Sequence, residues 1–215
     1  MKKIAVILAG NGVFDGAEIH EATLTLLSIA KNGAEYQCFA PDINQAHVIN
    51  HITGEEMSET RNVLIEAARI ARGNIKSLTE YNVGDFDAII FPGGFGVAKN
   101  LCTFAFDGAD CSVNPEVETV IRNTVVAEKP IGALCISPAL IAKVLGDVEV
   151  TIGQDEGTAE AIETLGATHI KTTHGEIVID KKYKIITTPC YMLDATITQI
   201  AEGAENAVKK LLEMA

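Results

Sequence analysis

Lys129-Pro130-Ile131-Gly132-Ala133-Leu134-Cys135-Ile136-Ser137-Pro138-Ala139-Leu140 is the stretch that decides the fold. Its first half is a short apolar run, long enough for one buried strand and too short for a helix. Ser137-Pro138 then predicts a helix start, with Ser as N-cap and Pro at the first helical position. Cys135 falls between the two, in a tight strand-to-helix turn of the kind that lifts a nucleophile above a sheet. Ala133 and Ser137, two positions to either side, are small enough for a sharp bend. A helix N-terminus favours the thiolate, the nucleophilic form of Cys. The competing reading is a structural Cys buried in the core.

Strands and helices alternate on both sides of this turn. Lys2 to Ala9 is nearly all apolar, as a strand covered on both faces should be. Gly10-Asn11-Gly12-Val13-Phe14-Asp15-Gly16 then forms a loop at its carboxyl end. The spacing is not G-x-G-x-x-G and no diagnostic acidic residue closes a second strand about 20 residues on, which argues against a dinucleotide site. Asp15 and Glu18 have capping-box spacing for a helix running to about Lys31, with Ile19, Ala22, Leu26 and Ile29 as its apolar stripe. Glu18 reads either as a cap or as an acid placed at the sheet edge where Cys135 emerges. His20 reads as a polar helix residue or as an acid/base. Tyr36 to Ala40 is a strand. His47 and His51 lie in a β-branched, extended excursion and not on one helix face, so they are not a metal pair. Ser58 to Arg72 predicts a helix closed by Gly73.

Asp87 to Phe91 is the third strand, and the Pro92-Gly93-Gly94-Phe95-Gly96 turn after it can aim free backbone N–H groups at an oxyanion. Residues 101–114 lack periodicity and read as a long loop or lid. Asn114-Pro115 starts a helix to Glu128. After the elbow helix, ending near Leu145, come a strand over Val148 to Ile152 and a helix over Thr158 to Leu165. His174 precedes a hairpin of Ile177 to Asp180 and Tyr183 to Ile186 around a Lys181-Lys182 turn. Thr187 to Tyr191 leaves the last strand toward the same edge, and Thr196 to Met214 is the final amphipathic helix. The pattern predicts one α/β domain over residues 1–215, with a mostly parallel central sheet and an accessory antiparallel hairpin.

A net charge of −12 over 215 residues argues against a nucleic-acid or anionic-membrane surface. No apolar run reaches the ~18 residues of a membrane span. The run Ile4 to Ala9 is too short for the core of a signal peptide and reads as the first strand. Five Cys with irregular spacing and no C-x-x-C fit a reducing cytosol, and neither a disulfide scaffold nor a zinc site. The expectation is a cytoplasmic protein with no metal.

Several motifs in order resemble one family. They are Gly10-Asn11-Gly12-Val13-Phe14-Asp15-Gly16-Ala17-Glu18-Ile19-His20-Glu21, Glu59-Thr60-Arg61-Asn62, Phe91-Pro92-Gly93-Gly94-Phe95-Gly96, Cys135-Ile136-Ser137-Pro138, and Thr187-Thr188-Pro189 with Tyr191-Met192. Together they resemble the ElbB family, in the PfpI branch of the class I glutamine amidotransferase-like superfamily. The resemblance implies a flavodoxin-like three-layer sandwich, commonly a homodimer, and a cofactor-free thiol enzyme. The implied activity is a slow glyoxalase, turning glyoxal into glycolate or methylglyoxal into lactate without glutathione, with deglycase-type repair as the same chemistry on larger carbonyls. Family naming also implies a link to isoprenoid synthesis. Carried over, Cys135 matches the nucleophile, Glu18 the acid held against the thiol, and Gly93, Gly94 and the Ile136 N–H the oxyanion hole. Relatives that hydrolyse amides carry His where this chain has Ile136, Thr151-Ile152-Gly153-Gln154 or Thr188-Pro189-Cys190. This departure counts against glutaminase and protease activity and leaves His20 and His174 as acid/base candidates. The alternative is a non-enzymatic protein that senses oxidants through Cys135 and acts through partners.

Overall fold

The computed structural model describes residues 1–215. In chain order the elements are β1 (Lys3–Ile7), α1 (Ile19–Lys31), β2 (Glu35–Ala40), α2 (Val63–Ile70), β3 (Ile75–Ser77), β4 (Ala88–Phe91), α3 (Phe104–Asp107), α4 (Pro115–Val126), β5 (Ile131–Leu134), α5 (Ser137–Leu145), β6 (Glu149–Val150), α6 (Glu156–Thr164), β7 (Thr168–His169), β8 (Val178–Asp180), β9 (Ile185–Thr188) and α7 (Ile197–Met214). Seven strands form one sheet in the order β3-β2-β1-β4-β5-β9-β8. It is parallel except for β8, which runs antiparallel to β9 at the edge. β6 and β7 pair separately.

The apolar strands divide their side chains between two cores. In β1 and the residue after it, Ala5 and Ile7 face one layer while Ile4, Val6 and Leu8 face the other. In β4, Ile89 and Phe91 alternate with Ala88 and Ile90 in the same way. The first layer is α4, α5 and α6, contributing Val117, Ile121, Leu140, Ile141 and Ile162 among others. The second is α1, α2 and α7, contributing Leu26, Ile29, Val63, Ala204 and Leu211. This is the flavodoxin-like sandwich with an antiparallel strand pair that the sequence predicts. No helix is long and apolar enough to cross a membrane.

Several boundaries differ from expectation. α1 is capped by Glu18, whose carboxylate accepts from the Glu21 N–H at 2.7 Å, and not by Asp15. Asp15 is buried instead and accepts from Ile49 N–H at 2.7 Å. The stripe of α1 is rotated: Ile19 is exposed, while Glu21, Ala22, Thr25, Leu26 and Ile29 face the core. α2 starts only at Val63, because Arg61 C=O accepts from Gln45 N–H and the Asn62 side chain takes up the cap, holding the preceding residues out of the helix. Ser137 does not cap α5; its hydroxyl donates to Pro92 C=O at 3.0 Å, tying the elbow to the glycine turn. The turn joining β8 and β9 takes residues 181–184 and not two lysines, with Lys184 at φ +57.

The sheet order reverses between β1 and β4, since β1 continues outward to β2 and the chain later returns to β1's other side. In open α/β sheets such a crevice at the strands' carboxyl ends is where ligands bind. The loops that follow the strands' carboxyl ends there are residues 10–18, residues 92–96, the Cys135 elbow and residues 189–191.

Candidate active site

Cys135 sits at φ +60, in the left-handed region that costs a non-glycine residue roughly 1–2 kcal/mol. The sheet holds it there: its N–H donates to Thr188 C=O at 2.9 Å, and α5 begins two residues on. This is the predicted elbow. The sulfur is not sealed in the core, for Cys135 is 7% exposed and lines a cavity of about 230 Å³.

The acid against the thiol is Glu21. Glu18 spends its carboxylate on the Glu21 N–H at the helix start, and so stands behind the pair. Glu21 is fully buried and its carboxyl lies beside the Cys135 thiol: a Cβ placed on Gly93 would be 2.5 Å from Glu21 Oε2 and 2.9 Å from Cys135 Sγ. One of its oxygens, Oε2, accepts from Gly93 N–H at 3.0 Å, and the other, Oε1, from Tyr191 N–H at 3.1 Å. Burial, above all, pushes this carboxyl up to about 8; the Tyr191 amide works against that shift and the Glu18 charge adds to it. The Cys135 thiol is also pushed well above its ordinary value, first by burial and then by the Glu21 carboxylate. The thiolate expected from the helix N-terminus is therefore not the resting state, because desolvation outweighs the helix field.

The oxyanion donors also shift. Gly93 N–H is taken by Glu21, leaving the N–H groups of Gly94 and Ile136, both of which face the Cys135 sulfur. Gly93 matters by having no side chain: a Cβ there would lie 2.3 Å from Cys135 Cβ and 2.5 Å from Glu21 Oε2. Gly94 is at φ +103, and a Cβ on it would meet the Glu18 N and Gly16 O at 2.4 Å. Gly93→Ala is expected to pry thiol and carboxyl apart and to destabilise the fold by about 1–3 kcal/mol, as overpacking does. The corresponding fall in melting temperature is roughly 3–10 °C. An unchanged melting temperature would show that the turn absorbs a methyl group.

His20 and His174 fare differently. His20 Nδ1 is 2.8 Å from the Tyr191 hydroxyl, and the Tyr191 ring lines the cavity, so His20 reaches the rim through Tyr191. His174 lies in the turn before β8 and does not line the cavity. His47 packs on Phe106 and His51 on Phe14, well apart in role. No three His, Cys, Asp or Glu side chains converge as metal ligands would. Sequence reasoning missed Glu21, and a signal for it existed: an acid on the buried stripe of α1, one turn after the cap.

No protein-family model matches the chain. Among curated proteins it is 49% identical to "ES1 protein homolog, mitochondrial" of Rattus norvegicus, over 99% of this chain and 84% of that protein. It is likewise 49% identical to "Glutamine amidotransferase-like class 1 domain-containing protein 3, mitochondrial" of Homo sapiens, over 99% of this chain and 83% of that protein. The chain belongs to the ES1 family.

Among solved structures, this ES1-family chain superposes with a TM-score of 0.93 on an isoprenoid biosynthesis protein with an amidotransferase-like domain from Ehrlichia chaffeensis. The two are 36% identical, and the match covers 100% of this chain and 99% of the other. The fold is also that of a glyoxalase III from Candida albicans, with a TM-score of 0.64 over 99% of this chain and 97% of the other, at 16% identity. The cytoplasmic location expected from the sequence is corrected by these relatives: the rat and human proteins, and "ES1 protein, mitochondrial" of Danio rerio at 37% identity, are all named mitochondrial. Free thiols report a reducing milieu and not the membrane that encloses it.

Proposed function

We propose that this ES1-family chain is an ElbB-like, glutathione-independent glyoxalase that converts glyoxal to glycolate and methylglyoxal to lactate. The observation that carries the reading is the Cys135–Glu21 contact beneath two free backbone amides at the floor of a cavity. Glu21, as carboxylate, takes the Cys135 proton while the sulfur bonds to the aldehyde carbon. The carbonyl electron pair moves to oxygen, where the Gly94 and Ile136 N–H groups hold it, and Glu21 returns the proton there to give the hemithioacetal. Glu21 next removes the C1 hydrogen while the C2 oxygen takes up the C1 hydroxyl proton, and it returns the abstracted proton to C2 as the C1–O bond becomes the thioester carbonyl. The product is a 2-hydroxy thioester, which water cleaves to the 2-hydroxy acid and the free thiol.

With its carboxyl up near 8, Glu21 is ionised in only about a tenth of molecules at pH 7. That supports a slow enzyme whose kcat/KM climbs close to tenfold per pH unit up to about 7, about fivefold from there to 8, and levels above it. The test is methylglyoxal without glutathione at pH 6 to 9, lactate being measured against a protein-free control. No lactate, or a rate that falls between pH 6 and 8, would sink the reading. The sensor alternative is less well served, since oxidant sensing wants an exposed thiolate and this thiol is buried and held protonated.

A further inference from the structure

Resting on the glyoxalase reading, we propose that the site takes uncharged 2-oxoaldehydes with an aryl or branched alkyl group in preference to glyoxal and methylglyoxal. The walls above the sulfur decide this. Val13, Phe95, Ala98, Phe104, Ile136 and Met192 face the space, and seven of its eleven lining residues carry apolar side chains. Its polar groups are few: the Cys135 thiol with the Gly94 and Ile136 amides at the reacting end, and the Thr158 and Tyr191 side chains in the walls.

No Lys or Arg lines the cavity. Lys99, close to the rim, donates to Phe14 C=O at 2.9 Å and lies over the Phe95 ring. Glu21 lies beside the sulfur, with Glu18 bonded to its backbone N–H at the helix start. A substrate bearing a carboxylate or phosphate would enter with no counter-charge, and would meet the Glu21 carboxylate in the one protonation state in which the site reacts.

Size points the same way. An apolar cavity of roughly 150 Å³ accommodates benzene; this one is about 230 Å³, room for a ring together with the dicarbonyl. Methylglyoxal would leave most of the apolar wall facing water that has few hydrogen-bond partners there. With phenylglyoxal the balanced reaction is the same, one water added and the aldehyde carbon oxidised as the ketone carbon is reduced, giving mandelate.

Two measurements test this. In the first, kcat/KM is compared for phenylglyoxal and methylglyoxal, and at least a tenfold advantage is expected for the aryl compound. In the second, which needs no turnover, the Cys135 peptide is followed by mass spectrometry during alkylation by N-phenyl iodoacetamide, iodoacetamide and iodoacetate. Each rate is divided by the rate for glutathione with the same reagent. The expected order is phenyl amide fastest, by tenfold or more, and iodoacetate slowest, with Phe104→Ala reducing the phenyl advantage at least threefold. Equal normalised rates, a faster iodoacetate, or no alkylation of Cys135 by any reagent would overturn the proposal. Lactate formation without aryl preference sinks this inference and leaves the glyoxalase reading standing. Aryl preference in alkylation with neither lactate nor mandelate formed does the reverse for the cavity and the activity.

Discussion

Glu21→Gln is expected to lower turnover of methylglyoxal by 10² to 10⁴-fold, the range for loss of a positioned acid–base group, and at the same time to flatten the protein's dependence on pH. The wild-type carboxyl is raised from 4.5 to about 8 by burial. Between those values the folded state binds a proton that the unfolded chain has released, so stability is full below pH 4.5 and is lost as pH rises to about 8. A shift of this size corresponds to a loss of roughly 3–5 kcal/mol. Gln carries no charge to desolvate, so its melting temperature should change little from this source between pH 5 and 9. Its amide nitrogen cannot accept from both Gly93 and Tyr191, so one buried N–H loses its partner, which costs about 1–3 kcal/mol at every pH. The variant is thus expected to melt lower than wild type at pH 5 and to close or reverse the gap at pH 9. Parallel melting curves across that range would show that Glu21 is not the group whose burial sets the slope.

Cys135→Ala is expected to reduce lactate formation to the protein-free rate, because no other thiol lines the cavity. The substitution removes one sulfur at a site that already tolerates a Cβ at φ +60, so the fold should persist with a melting temperature within a few degrees of wild type. The thiol beside Glu21 helps to hold that carboxyl down, so the variant should move the pH midpoint of the stability curve upward. Lactate formed at the wild-type rate by a folded Cys135→Ala protein would remove the sulfur from the chemistry altogether.

Much of this was readable from residues, and the rest was hidden for physical reasons. Residues 4–9, 88–91 and 131–134 are fully buried, so continuous apolar runs announce their strands, and the Asn114-Pro115 and Thr196 helix starts carry their caps in the sequence. β3 escaped notice because Ile75-Lys76-Ser77 is a short edge strand with no pattern to detect. Ser137 looked like a cap because its type suits one, yet a nearby carbonyl, Pro92, competes for its hydroxyl. Position relative to the strand end points to Glu18, and the rotation of α1 that buries Glu21 and exposes Ile19 is not visible in the sequence. The cavity walls were least legible, since Phe95, Phe104 and Met192 come from irregular segments far apart in the chain.

Both carboxylate oxygens of Glu21 are gripped by main-chain hydrogens, from Gly93 and from Tyr191. Every residue type but proline supplies such a hydrogen. Position 191 can therefore drift during evolution, exchanging its ring for another side chain and reshaping what the crevice admits, while the acid keeps its anchorage. Selectivity can diversify here without putting the reacting pair at risk, and only a proline at that position would cut the tether.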